Sequence, residues 1–295
     1  MTVGIEIRAH SVRRVTVTEH GEVVARSDQT LTKDGMPAAI RRALDISSDA
    51  NGNGNVSAGV ALPWLGDIAP ADLSSVLREG PKLPVTIGTG AATVMAEAWC
   101  GAARGLQDVI AFGIDDQVVA GVIVGGSVLR GANGLAGSVE WFSLNPVERA
   151  DYRRFGGLAA EVSAAGIVRR VVSRIKSGDR SSIEDAVQGD LSRITADQVL
   201  AAAQGGDGVS ISVVRDTARY VGMAVSNMAA MLDPQAIVLG GMLAGSGAMM
   251  LDSIKLECSR RLPPSQAGRV GVVLSTLGAD AAAIGAARAA LLERQ

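Results

Sequence analysis

Two stretches far apart in the chain carry the same order of elements, and that repetition limits the fold more than any other feature. Thr2–Ile7, Val12–Thr18 and Glu22–Ser27 read as three short strands, with a turn at His20-Gly21. β-branched and other apolar residues either alternate or run together there, as strands require. Val109–Leu129 repeats the plan: strands at Val109–Ile114 and Val118–Val124, a turn at Gly125-Gly126, and a short third strand. Alternating helices and strands follow each meander. That order predicts an α/β protein with two similar lobes and a cleft between them. The repeat lies in the elements and not in residue identity.

In the first half the pattern predicts a helix over Met36–Leu44, a loop at Ser47–Asn55 and a strand at Val56–Leu62 stopped by Pro63-Trp64. A short helix at Ala71–Leu77, a strand around Pro84–Ile87 and an alanine-rich helix at Ala91–Gly105 complete it. In the second half helices are expected at Leu158–Ser177, Ser181–Gln188, Thr195–Gln204, Val209–Leu232, Ala248–Arg261 and Ala281–Arg294. Thr195 and Gln198 form a capping box, and Asp233-Pro234 stops the long helix before it. Strands are expected at Ala236–Leu239, running into Gly240-Gly241, and at Val270–Leu274. The expected lobes are 1–105 and 106–277, with the terminal helix at 278–295 packing back on the first.

Composition narrows the chemistry. Hydrophobic residues make up 47% of the chain but aromatics only 3%, so the core is built from Ala, Val, Leu and Ile. The net charge is −2 with both signs mixed, which argues against a nucleic-acid or anionic-membrane surface. No apolar run approaches the roughly 20 residues of a membrane span, and the N-terminus lacks a signal-peptide pattern. A cytoplasmic protein is the expectation. The only histidines are His10 and His20, so a histidine base or ligand elsewhere is excluded. Cys100 and Cys258 stand alone and imply neither a disulfide framework nor a metal cluster.

The richest local signal is Arg130–Gly137, a loop with glycine at every third position: Gly131, Gly134 and Gly137. Glycine serves where a chain must turn tightly or approach a ligand closely. Asp115-Asp116 precedes this loop and Trp141 follows it.

Three segments, LRGANGLAG (129–137), LDPQAIVLGGMLA (232–244) and LGADAAAIGAA (277–287), resemble the ROK family of bacterial sugar kinases and sugar-responsive repressors. The resemblance covers essentially the whole chain. It implies the actin-like (ribonuclease H-like) two-lobed fold with a central cleft, and a homodimer or other homo-oligomer. It does not by itself imply activity.

ROK kinases bind nucleotide phosphates on a hairpin resembling Asp-x-Gly-Gly-Thr. The matching residues here are Glu6, Arg8, Ala9 and His10, so the acid is kept and both glycines are lost. Arg8 either contacts an anion directly or is solvated or paired with an acid. The second phosphate motif falls on Asp115–Gly121, where only Gly121 survives and two carboxylates replace glycines. The family's catalytic aspartate falls at Thr89 or Gly90, and no acid stands between Pro84 and Met95. The sugar-binding Glu-x-x-His pair falls at Ser138 and Trp141, and a second sugar glutamate at Ala159. The family's zinc ligands are missing. A sugar-facing turn falls at Pro63-Trp64.

Trp64 and Trp141 either fill the vacated pocket or form an aromatic platform. Glu140 and Glu161 lie close in sequence to lost carboxylates, within reach of a register shift. Gly240-Gly241 match the family's turn under the purine, but a buried strand entering a helix needs such a turn in any case. Nucleotide candidates are therefore Glu6, Arg8, Gly121, Gly240 and Gly241. Ligand-cleft candidates are Trp64, Asn133, Gly134, Ser138 and Trp141.

These readings predict a non-catalytic binding or regulatory protein that uses no zinc, with ATP–Mg²⁺ left open as a ligand. The alternative is an ATP-dependent hexose or N-acetylhexosamine kinase with an altered site. A second alternative is a transcriptional regulator, but this chain begins on its first strand with no helix-turn-helix ahead of it. The basic cluster Arg169-Arg170, Arg174, Lys176 and Arg180 reads as a solvated face. Neither nucleic acid nor membrane is an expected partner.

Overall fold

A computed structural model describes residues 1–30, 35–44, 57–63 and 84–293. The expected loop at Ser47–Asn55, the helix at Ala71–Leu77 and Trp64 lie outside the described residues. Tertiary contacts divide the chain into two compact units. One comprises Met1–Ala111, Ala120–Gly137 and Ser275–Gln295; the other comprises Phe112–Val119 and Ser138–Leu274.

The first sheet joins β1 (Thr2–Ile7), β2 (Ser11–Val17), β3 (Val23–Thr30), β4 (Ser57–Leu62) and β5 (Val85–Gly88) in the order β3-β2-β1-β4-β5. β1 pairs antiparallel with β2 and parallel with β4. The second joins β6 (Val109–Ile114), β7 (Val118–Val124), β8 (Ser127–Val128), β9 (Ala236–Gly241) and β10 (Gly271–Leu274) in the order β8-β7-β6-β9-β10. The two orders correspond strand for strand, so the repeat seen in the sequence is a repeat of topology.

β1 is buried along its whole length, and its alternation decides what lies on each face. Val3, Ile5 and Ile7 pack with Ala39, Ile40 and Ala43 of helix α1 (Gly35–Leu44). Gly4 faces the other way. A Cβ there would lie 1.8 Å from the Ala283 carbonyl oxygen, and one on Gly59 of β4 would lie 1.9 Å from that of Ala286. Both oxygens belong to the terminal helix (Ala281–Leu292), which also packs on α2 (Thr89–Cys100). Glycine in the sheet and alanine in the helix let backbone approach backbone. A chain with few aromatics can thus fill its core without large side chains.

In the second unit, helix α3 (Ala150–Phe155) ends at Gly156 with φ 87°. The helix expected over Leu158–Ser177 is two helices, α4 (Gly157–Val162) and α5 (Ala164–Lys176). Ser163 separates them because its hydroxyl caps the second, accepting from the Gly166 N–H at 3.1 Å. A short α6 (Ser182–Ala186) precedes α7 (Ala196–Gln204), where the capping box is present. The long α8 (Gly208–Leu232) follows, then α9 (Met242–Ser246) and α10 (Ala248–Ser259); the terminal helix is α11. Among the described residues no helix is long and apolar enough to cross a membrane.

Asp207 caps α8 and ties α6 to it. Its carboxylate accepts from Ser210 N–H at 2.8 Å, Ser182 N–H at 2.8 Å and the hydroxyls of Ser181, Ser182 and Ser210. Burial pushes this carboxyl up, but the accepted hydrogen bonds outweigh it and hold it at about 2. The folded value lies below the unfolded one, so the stabilisation is present above pH 4, roughly, and is lost as pH falls toward 2. Asp207→Ala is expected to cost about 2 kcal/mol at pH 7. Thermal melts should show the gap between variant and parent closing in acid.

Candidate functional site

At the end of β1, Glu6 is buried and Arg8 is bound to it. Arg8 Nε and Nη2 donate to the same oxygen, Glu6 Oε2, at 2.8 and 2.6 Å, and Nη2 also donates to the Ala279 carbonyl at 2.6 Å. Burial pushes the Glu6 carboxyl upward, and the Arg8 guanidinium opposes that. Arg13, in register with Glu6 on β2, forks onto Asp28 at 2.8 and 2.5 Å and reaches Asp280 at 3.1 Å. Arg26 closes the set on Asp280 at 2.5 Å. The β1–β2 connection needs no left-handed residue at Arg8, Ala9 or His10. Of the two readings of Arg8, the geometry is that of pairing with an acid. The Arg8 guanidinium occupies Glu6 Oε2.

Gly121 sits on β7 against the first turn of α2. A Cβ on Gly121 would lie 1.8 Å from the Gly90 carbonyl oxygen, and one on Gly90 would lie 2.2 Å from that of Ala120. Both glycines are therefore contact points between two backbones. Gly90 has no room for an acid, which leaves Thr89 as the side chain at the expected base position. Its hydroxyl is shielded from solvent and has no hydrogen-bond partner among the described residues.

The glycine loop closes on the same strand. Gly131, Gly134 and Gly137 have φ of 75°, 73° and 92°, in the region that favours glycine. Gly137 also meets the Ala120 peptide, its carbonyl accepting from Ala120 N–H at 2.9 Å. Asn133 and Gly134 are exposed at the tip.

In the second unit Asp115 and Asp116 form the turn between β6 and β7, with Asp115 N–H donating to the Gln117 carbonyl at 2.9 Å. The Asp115 carbonyl accepts from Ala164 N–H at 3.0 Å, at the start of α5. Gly240 and Gly241 end β9. Gly241 has φ 67° and ψ −140°, and its Cα lies against the Ile114 carbonyl and the Asp115 carboxylate.

Ser138 leads a single 3₁₀ turn, Val139–Trp141. Trp141 is 53% exposed. A ring that fills a pocket is buried, so of the two readings of this indole the exposure fits the platform. Glu140 is half-buried, and burial pushes its carboxyl up against hydrogen bonds from its own N–H and the Trp141 indole. Its Oε2 is shielded and has no partner among the described residues. Trp141→Ala is expected to cost less than about 1 kcal/mol, far below a core aromatic truncation, as urea melts would show.

Glu161 is buried and engaged elsewhere. It accepts from Tyr152 Oη at 2.5 Å and Arg149 Nη1 at 2.8 Å, with Arg170 Nε 3.7 Å away. Arg149 also grips Asp151 at 3.0 and 2.5 Å and lies over the Tyr152 ring, and Arg169 pairs with Asp151 at 3.0 Å. This network ties α3 to α4 and α5. Among the described residues no group of three or more His, Cys, Asp or Glu side chains is placed to hold a metal ion; Cys258 is buried in α10 and Cys100 is part-buried in α2. The network went unread in the sequence, although Arg149, Asp151 and Tyr152 stand together in the run RADYRR (149–154).

Within the basic cluster, Arg169 donates to the Ala160 carbonyl and Arg170 to the Thr217 hydroxyl; Arg174 donates to Asp179 and to Ser212, both at 2.7 Å. These arginines hold the unit together. Lys176 and Arg180 are exposed.

Two mixed sheets of the same strand order, flanked by helices, define an α/β protein of the actin-like ATPase class. The chain belongs to the ROK family, whose model matches residues 2–293. It is 27% identical to a glucokinase of Halalkalibacterium halodurans over 96% of this chain and 92% of that one. A transcriptional regulator of Escherichia coli, NagC, is 26% identical over 62% of this chain and 44% of its own length. The crystal structure of a ROK family glucokinase from Streptomyces griseus, in complex with glucose and AMPPNP, matches at a TM-score of 0.81 and 23% identity, covering 99% of each chain. The chain is thus sugar-kinase-like in family and fold.

Proposed function

We propose that this chain is a non-catalytic ROK protein, a pseudokinase that acts as a regulator or scaffold by binding a small molecule or a protein partner. The observation that carries the reading is the start of α2. Phosphoryl transfer to a sugar needs a base to take the hydroxyl proton, and the segment Pro84–Met95 has no acid, only Thr89 at the base position beside a glycine that admits no side chain. The Arg8–Glu6 pair adds to it by occupying the acid that would hold Mg²⁺. Function in this reading requires neither zinc nor ATP–Mg²⁺. The exposed face of Trp141 favours a ligand with a flat or apolar side over one gripped by carboxylates.

The similarity to a glucokinase along almost the whole chain supports a second reading, an ATP-dependent hexose or N-acetylhexosamine kinase with an altered site. Thermal melts with a panel of hexoses and N-acetylhexosamines, each with product analysis after incubation with Mg²⁺-ATP, separate the two. A ligand of the folded state raises the melting temperature. The proposal expects any stabilising sugar to be recovered unphosphorylated; a phosphorylated sugar in catalytic amounts would establish the kinase.

A further inference from the structure

Among the described residues the two sheets end on β3, β5, β8 and β10, and β3 is the long one. It has eight residues, against four in β5, two in β8 and four in β10. An edge strand presents unpaired N–H and C=O groups, and proteins blunt such edges with short strands, proline or lysine. β3 contains neither proline nor lysine. Its register shift on β2 lies at its start, and from Ala25 to Thr30 the ladder is unbroken. Residues 24–28 are exposed, and among the described residues no strand pairs with the outer edge. One row of side chains crosses this sheet: Glu6, Arg13 and Asp28 stand opposite one another on β1, β2 and β3. Their charges alternate, and opposite charges stabilise such cross-strand pairs. The row stops at the free edge on a carboxylate whose side chain is 51% exposed.

We infer that the outer edge of β3 is an interface for a second copy of this chain, with the two β3 strands antiparallel about a two-fold axis at Ser27. Two copies of one strand can pair in few registers. Alternate residues turn their N–H and C=O groups to the free edge, so a residue stands opposite one of the same parity and the axis passes through a residue. An axis at Arg26 sets two guanidiniums opposite each other, and one at Asp28 sets two carboxylates; like charges there are destabilising. Axes nearer the ends of the strand pair fewer residues. An axis at Ser27 sets Arg26 opposite the partner's Asp28 and Asp28 opposite the partner's Arg26. The charged row then runs Glu6, Arg13, Asp28 and the partner's Arg26, alternating in sign over four strands. Arg26 can reach across, since it bonds Asp280 through Nε and its side chain is 65% exposed. The inference concerns assembly and stands whether or not the chain transfers phosphate.

Sedimentation equilibrium of the full chain at about 100 µM, enough to detect a micromolar association, is the test. The proteins are the parent, Arg26→Asp, Asp28→Arg and an equimolar mixture of the two variants. Each variant alone sets like charges opposite each other across the axis. In the mixture one chain supplies two carboxylates and the other two guanidiniums, so the pairs match again. The inference expects the parent to associate, each variant alone to fall to half the parent's mass, and the mixture to return to it. Each variant also loses an in-chain pair, with Asp280 or with Arg13, but mixing does not repair those, so the mixture separates interface from fold. Should a reversed charge prevent folding, Arg26→Gln and Asp28→Asn keep the side-chain size, and each is expected to weaken association about tenfold. A monomeric parent would overturn the inference. So would a parent assembly that the variants retain, which would place the contact between copies elsewhere, and so would a mixture of folded variants that stays at half mass.

Discussion

Glu161→Ala is expected to destabilise the second unit by about 3–5 kcal/mol, as breaking a buried ion pair does. Glu161 is 3% exposed and takes hydrogen bonds from Tyr152 and Arg149. Burial already holds the Arg170 guanidinium below its ordinary value, with Glu161 the foremost charge opposing that shift. Removing the carboxylate leaves Arg170 with the Thr217 hydroxyl as its hydrogen-bond acceptor. Arg149 loses its link to α4 but keeps Asp151. Glu161→Gln retains an acceptor for Tyr152 and removes the charge, so its loss should be smaller. Denaturant melts of the two variants would rank them; a cost under about 1 kcal/mol for the alanine variant would place the network among weak surface pairs.

Gly121→Ala is the second large effect. Strand propensity favours alanine over glycine by roughly 0.5–1 kcal/mol. Against that, the new Cβ would sit 1.8 Å from the Gly90 carbonyl oxygen and 2.9 Å from Val94 Cγ1. The first obstacle is backbone at the head of α2 and cannot rotate away. The expected outcome is a net loss of about 3 kcal/mol or more, toward the upper end of overpacking, with a lowered melting temperature. If Gly121 were instead an open cradle for phosphate, the alanine variant would fold as well as the parent or better.

These two sites show what the sequence makes legible. The architecture could be read because it follows from periodicity: β1 alternates, the meander repeats, and Thr195 and Gln198 cap a helix as their types require. Element order became strand order in both sheets. The break at Ser163 was hidden because the apolar pattern runs through it, while the cap that makes it is a side-chain choice.

The candidate site was legible only as positions. The residues at the family's phosphate, base and sugar positions could be named, but not their partners. That Arg8 folds back on Glu6 depends on a two-residue separation at a strand end and on the Ala279 carbonyl, 271 residues away. That Gly90 and Gly121 face each other depends on a helix and a strand with all of β6 between them in the chain. Trp141 was legible as either filler or platform; its exposure is set by the 3₁₀ turn after Ser138, which periodicity does not reveal.

The central claim is that the scaffold of a sugar kinase persists here without its phosphoryl-transfer chemistry. Single-turnover transfer tests it most directly, with protein in excess over γ-labelled ATP, Mg²⁺ present, and hexoses and N-acetylhexosamines supplied in turn. Excess protein removes product release from the measurement, so the assay reads chemistry alone. The account predicts no labelled sugar above the protein-free control for any of them. Labelled sugar phosphate formed at the 1–100 s⁻¹ typical of kinases, roughly, would contradict it.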